Sequence, residues 1–203
     1  MQKVLPSLIL AVFLDLCLVK TVQAQEYVFE AGGNNAYSSP QELKNAQNYK
    51  YIYGILTSGE GTVDYYSFEL NDLTPQFHIE LFVPAKTAFQ DFRPSFLVTE
   101  PHTKQFSGGI VPYGLPFGLG GRIYPWEVDA GTEMTEKDAF QTVWAGPALI
   151  KDMTQNHYNI GVFDPAGRGG RYMLKVGSQS PVEGLKTWLV KLIAFIRVKT
   201  DLY

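Results

Sequence analysis

From position 49 onward, aromatic and aliphatic side chains return at every second residue in short runs separated by turns. Successive side chains of a strand point to opposite faces, so this two-residue beat predicts half-buried β-strands. The run YKYIYGIL at 49–56 leads through the turn TSGEG to TVDYYSFEL at 62–70. In that second strand Tyr66, Phe68 and Leu70 share the inward face, while Tyr65, Ser67 and Glu69 point the other way. QFHIELFV at 76–83 sets Phe77, Ile79, Leu81 and Val83 against His78, Glu80 and Phe82. SFLVT at 95–99 reads as a fully buried strand. RIYPWEVD, AFQTVWAG, HYNIGVF and RYMLKV complete the series, the last with Tyr172, Leu174 and Val176 inward and Arg171, Met173 and Lys175 outward.

About eight short strands with turns between them and almost no helical period describe an all-β domain. The fold class read from this pattern is a two-sheet antiparallel β-sandwich, jelly-roll-like, over residues 49–178. Two segments break the beat. Residues 100–125 are dense in Gly and Pro and read as a long, partly packed loop. Its aromatic and aliphatic residues either tuck into the body or form a contact surface. Residues 25–48 read as an extended lead-in, with a helical turn near SPQELKNA where Ser39 caps and Pro40 starts the first turn.

The ends of the chain follow other rules. Lys3, an apolar run from Val4 to Val19 and the exit Val22-Gln23-Ala24 predict an N-terminal signal-peptide helix over residues 1–24, cleaved after Ala24. The same run is close to the length of an anchor helix, but Asp15 and the small-residue exit favour removal. The tail at 179–203 changes to a helical period: Leu185, Trp188, Leu189, Leu192, Ile193 and Ile196 fall on one face, with Lys186, Lys191, Arg197 and Lys199 among them. It is too short and interrupted to span a bilayer. Two readings follow: it lies in a membrane interface through those six residues, or it packs on the sandwich.

Composition narrows the function classes. The formal net charge is −3, and −4 once Lys3, Lys20 and Asp15 leave with the leader; without basic runs this offers nucleic acid no footprint. The single cysteine, Cys17, lies in the leader, so the exported part has no disulfide, thiolate metal site or cysteine nucleophile. His78, His102 and His157 stand far apart and form no metalloprotease helix motif. No nucleophile elbow or P-loop is present, and the GLGG at 118–121 lacks the βαβ context of a dinucleotide site. Glu127 with Asp129 and Glu133 with Glu136 are read as solvated acids, although a small secreted hydrolase built on such a pair stays open.

The segments FEAGGNNAYSSPQEL, YIYGIL, VDYYSFEL and DPAGRGGRYMLKVG, in that order, resemble the bacterial pre-peptidase C-terminal domain family over about residues 29 to 177. The resemblance rests on Glu30 with Asn34 and Asn35, Gly54, Asp64 with Tyr66 and Phe68, and Gly170 with Tyr172, Leu174 and Val176. Thr62 stands where the family often carries a second aspartate, and residues 100–148 exceed the usual connection. The resemblance implies a jelly roll exported with secreted enzymes and a calcium site whose ligands are Glu30, Asn34, Asn35 and Asp64. Calcium takes six to eight oxygens, so carbonyls and water complete such a shell. The competing reading of Asp64 is a turn cap.

These observations converge on an exported, extracytoplasmic, non-catalytic binding or interaction module, with carbohydrate, peptide or a cell-envelope component as partner and Tyr113, Phe117, Tyr124 and Trp126 as exposed aromatic contacts. The alternative is a membrane-peripheral accessory subunit docking through its tail.

Overall fold

The computed structural model describes residues 26–30, 32–100, 103–112, 115, 118–127, 132–137, 140–178 and 185–200. The leader, the small-residue exit, Tyr113 and Phe117 lie outside the described residues. In chain order the strands are β1 (Glu26–Phe29), β2 (Gln41–Glu42), β3 (Lys50–Leu56), β4 (Val63–Leu70), β5 (Thr74–Pro84), β6 (Ser95–Thr99), β7 (Phe106–Ser107), β8 (Gly121–Tyr124), β9 (Glu133–Glu136), β10 (Gln141–Met153), β11 (Asn156–Phe163) and β12 (Gly170–Gly177). A single α-helix among the described residues, α1 (Leu185–Lys199), follows.

The strands form two six-stranded sheets, ordered β1-β3-β12-β5-β10-β9 and β2-β4-β11-β6-β8-β7. The chain is a two-sheet β-sandwich. Its interior is the row set expected from alternation: Tyr66, Phe68 and Leu70 meet Phe77, Ile79, Leu81 and Val83, with Ile160, Val162, Tyr172, Leu174 and Val176 between. Stacked rings, Phe68 on Phe77 at 5.2 Å and on Tyr158 at 5.4 Å, fill its centre.

The inner pairings are antiparallel, whereas β1 on β3, β2 on β4 and β7 on β8 are parallel. Each of these parallel partners is an outermost strand of its sheet. Gln41 and Glu42, expected near a helical turn, instead pair with Tyr66 and Ser67 as β2, because an unpaired edge of β4 offers backbone partners that a short isolated helix lacks. Gly146 and Pro147, which end a strand on composition alone, fall inside β10 at a register shift between Ala145 and Ala148, where a bulge removes the need for the missing proline donor.

The outer faces are not bare. Met173, expected outward, does point away from the interior but is buried among Tyr51, Tyr53, Phe82, Val143 and Val198 of α1. Tyr65 on the opposite sheet is buried with Val63, Leu97, Ile123 and Phe163, under Tyr37 of the lead-in and Leu115. Lys50, itself buried, donates from Nζ to Glu26 Oε2 and so ties β1 to the edge of β3.

Candidate functional site

The lead-in forms a strap across one edge of the sandwich. Where β1 ends, the Glu30 N–H donates to Tyr53 O at 3.0 Å and the Ile55 N–H donates to Glu30 Oε2 at 2.8 Å, both on β3 of the first sheet. Four residues on, the Tyr65 N–H donates to Asn34 O at 2.8 Å on β4 of the second sheet. Between them Gly32 and Gly33 adopt φ of +76° and +86°, a left-handed pair that an L side chain resists, which lets the strap turn from one sheet to the other.

The strap, Tyr53 and Ile55 of β3, Thr57 just after it, and Asp64 of β4 enclose a cleft of about 360 Å³. Glu30, Asn34, Asn35 and Asp64 all line it. Alternation explains Asp64, which extends the inward row of Tyr66 and Phe68 by one step toward the sandwich rim. It is 5 % exposed. Its Oδ2 accepts from the Tyr172 hydroxyl at 3.0 Å, and that hydroxyl lies 2.6 Å from the Tyr66 hydroxyl. No turn N–H reaches the Asp64 carboxylate among the described residues; the turn before β4 is closed by the Thr62 hydroxyl, which donates to Gly59 O at 3.2 Å. Asp64 therefore heads a buried hydroxyl chain and is not a turn cap.

Burial, and then the negative charge of Glu30, raise the Asp64 carboxyl to about 7 from its ordinary 3.8, although the Tyr172 bond opposes the rise. Burial also pushes the Tyr66 and Tyr172 phenols well above their ordinary range, so both remain protonated donors. Tyr172→Phe strips Asp64 of this donor and Tyr66 of its partner. We expect a loss of about 1–3 kcal/mol in urea unfolding, since each buried polar group left unpaired carries its desolvation cost. An unfolding midpoint equal to wild type excludes this chain as a stabilising element.

One buried polar atom at the cleft, Glu30 Oε1, has no hydrogen-bond partner among the described residues, whereas the Asn34 side chain approaches the Tyr66 hydroxyl. An orphan carboxylate oxygen beside a second carboxylate is an arrangement that a cation, a proton or a water satisfies. The side chains at the cleft, two carboxylates and two amides, are hard oxygen donors of the kind calcium takes. The Asn34 side chain must turn its amide oxygen inward to join. No group of three His, Cys, Asp or Glu side chains converges among the described residues, and the cleft's lining holds neither His nor Cys, so it does not offer the soft or imidazole-rich shell of a transition metal.

Of the aromatic contacts expected from sequence, Tyr124 and Trp126 are among the described residues. Tyr124 stacks on Phe96 at 4.8 Å, and Trp126 packs against the interior with the Arg93 guanidinium 5.3 Å from its ring. Both are half-buried rather than open platforms, because β8 belongs to the sheet and its neighbours share the core. Tyr124 still borders a groove of about 460 Å³ with Arg122 and Glu127. His78 is held by Glu80 at 2.8 Å, which Lys175 also reaches at 3.1 Å, and His157 is exposed. His102 and Asp129 lie outside the described residues.

The contribution sequence reasoning missed is the pairing of Gly54 with Tyr172 in register between β3 and β12, which lays the phenol across a strand with no side chain. The signal was present: a glycine inside an otherwise aromatic strand marks a close approach.

No family model matches the chain, and no curated protein matches it. Among solved structures it resembles the pre-peptidase C-terminal domain of a collagenase from Bacillus anthracis, with 11 % identity and a TM-score of 0.38 over 68 % of this chain and 94 % of that one. It also resembles CorA, a surface-associated copper-binding protein important in Methylomicrobium album BG8 copper acquisition, with 8 % identity and a TM-score of 0.35 over 76 % of this chain and 98 % of that one. Both are likenesses of fold at low identity and carry no information on ligand.

Proposed function

We propose that this chain is an exported, extracytoplasmic β-sandwich that acts as a non-catalytic binding module, with its lead-in strap fastened to the two sheets by calcium. The observation that carries the reading is the convergence of Glu30, Asn34, Asn35 and Asp64 on one cleft in which Glu30 Oε1 has no protein partner. The ion supplies positive charge to two carboxylates that burial otherwise sets against each other. Glu30, Asn34 and Asn35 belong to the strap and Asp64 to β4, so occupancy joins the segment to the body of the domain. Export rests on the leader pattern at 1–24.

The partner is carbohydrate, peptide or a cell-envelope component. The groove beside Tyr124 supports this, since it presents an aromatic ring together with the exposed charges of Arg122 and Glu127. Tyr113, Phe117 and Trp126 are the further aromatic residues we assign to contact with the partner.

The test is thermal unfolding in calcium and in chelator. An ion bound only by the folded state raises stability by mass action, by about 2.7 kcal/mol when its concentration is a hundredfold above the dissociation constant. We expect a higher melting temperature in calcium, and the increment should disappear in Glu30→Gln. Superimposable melts in the two conditions remove calcium from the proposal.

A further inference from the structure

The helix α1 packs through the stripe opposite to the one its sequence advertises. Ala194 at 1 % and Val198 at 4 % exposure, with half-buried Val190 one turn earlier, face the sandwich. Val198 joins the cluster over the outer face of β3, β5 and β12. The Arg197 guanidinium lies 3.9 Å from the centre of the Phe29 ring on β1, and Phe195 meets Phe140 edge to face at 5.8 Å. A three-point stripe of small side chains thus anchors the helix. Trp188, Leu189, Leu192, Ile193 and Ile196 are left on the solvent side, with Trp188 at 58 % and Ile193 at 59 % exposure.

Five large apolar side chains in one continuous helical stripe form a patch of the kind that marks an interaction site. Its charge selects the occupant. The helix carries Lys186, Lys191, Arg197 and Lys199 and no acidic residue between 185 and 199. Pairing the stripe with its own copy across a two-fold axis brings together two helices that each carry only positive charge, which is repulsive. A layer of anionic headgroups complements them, and tryptophan and long cationic side chains suit the depth where acyl chains meet headgroups. Among the described residues no helix is long and apolar enough to cross a membrane, so the geometry is that of a helix lying along a surface.

We propose that α1 docks the sandwich on an anionic lipid surface, with Trp188, Leu189, Leu192, Ile193 and Ile196 entering the interface and the exposed Lys199 beside them meeting the headgroups. This stands apart from the calcium reading, since the helix contributes no ligand to the cleft.

The experiment is flotation of the exported protein with vesicles of phosphatidylcholine alone and of phosphatidylcholine with about one third phosphatidylglycerol. Wild type is compared with Trp188→Ser/Ile193→Ser, both in chelator so that calcium bridging plays no part. The two share the same N-terminus, so any contribution of a leader cancels. We expect wild type to float with the anionic vesicles only, raised salt to release it as screening shortens, and the double variant to lose at least about tenfold in partitioning. Both substituted side chains are exposed, so an unchanged melting temperature certifies folding. Flotation that ignores the substitutions, or equal flotation with neutral vesicles, overturns the proposal. So does a dimer in sedimentation that the substitutions dissolve while vesicles stay unbound, which gives the face to a second copy.

Discussion

In chelator at pH 8, Asp64→Asn should be more stable than wild type, and in calcium at the same pH it should be less stable. The reversal follows from the position of one carboxylate. Its folded value of about 7 lies above the ordinary 3.8, so the folded state holds the proton more tightly than the unfolded chain does. As pH rises from about 4 the unfolded chain ionises first, and the stability contributed by the protonated acid declines until the folded carboxyl has ionised near pH 7. The displacement corresponds to roughly 4 kcal/mol, at 1.36 kcal/mol for each tenfold change in proton affinity. Asparagine has the shape of the protonated acid, accepts from Tyr172 and never ionises. In chelator the two proteins should therefore agree near pH 4 and diverge toward pH 8. A bound cation removes the liability in wild type, and the variant has lost the charge that recruits it. Urea titrations at several pH values, with and without calcium, give the full grid. A variant that is weaker than wild type in chelator at pH 8 contradicts a buried, ion-seeking carboxylate.

The second large effect is expected at Gly54→Ala. A Cβ at this position stands 2.3 Å from Tyr172 Cζ and 2.4 Å from its hydroxyl oxygen. The ring cannot swing aside, since it is fully buried and held at its tip by Asp64 and Tyr66. Either β3 moves away from β12 or the phenol leaves its bonds. Overpacking of this kind costs about 1–3 kcal/mol, and displacing the hydroxyl from a carboxylate adds about 1.5–3 kcal/mol. For a domain of this size we expect the melting temperature to fall by roughly 10 °C. A shortened partner relieves the clash, so Gly54→Ala should cost little on a Tyr172→Leu background, and the two substitutions should be strongly non-additive. Additive losses, or a single variant that melts with wild type, place the constraint elsewhere.

These two residues show why part of the site was legible and part was not. Asp64 and the strap residues are legible in the sequence only through the resemblance of their segments to the pre-peptidase C-terminal domain family, which implies them as an oxygen set. Their convergence required the strap to cross between sheets, which depends on the Glu30 and Asn34 backbone bonds to β3 and β4. The raised carboxyl required knowing that the row Asp64, Tyr66, Phe68 ends beneath the strap. A capping role was equally consistent with the sequence, because an aspartate after a glycine turn has the same local neighbours in either case.

The chain itself determined the eight inner strands. Each has side chains buried on at least one face along its length, and burial imposes the two-residue period that makes a strand visible without its partners. The four outermost strands, β1, β2, β7 and β9, were decided only by the tertiary structure. They are two to four residues long, polar or irregular in pattern, and exist because a neighbouring strand presents a free row of backbone donors and acceptors. The same division holds for α1. Its period and its apolar face were written in the sequence, but which stripe meets the sandwich was not, because an apolar row states that it avoids water without naming what shelters it. Packing chose the narrow row of Val190, Ala194 and Val198, whose small side chains let the helix lie close against the sheet, and left the larger row outside.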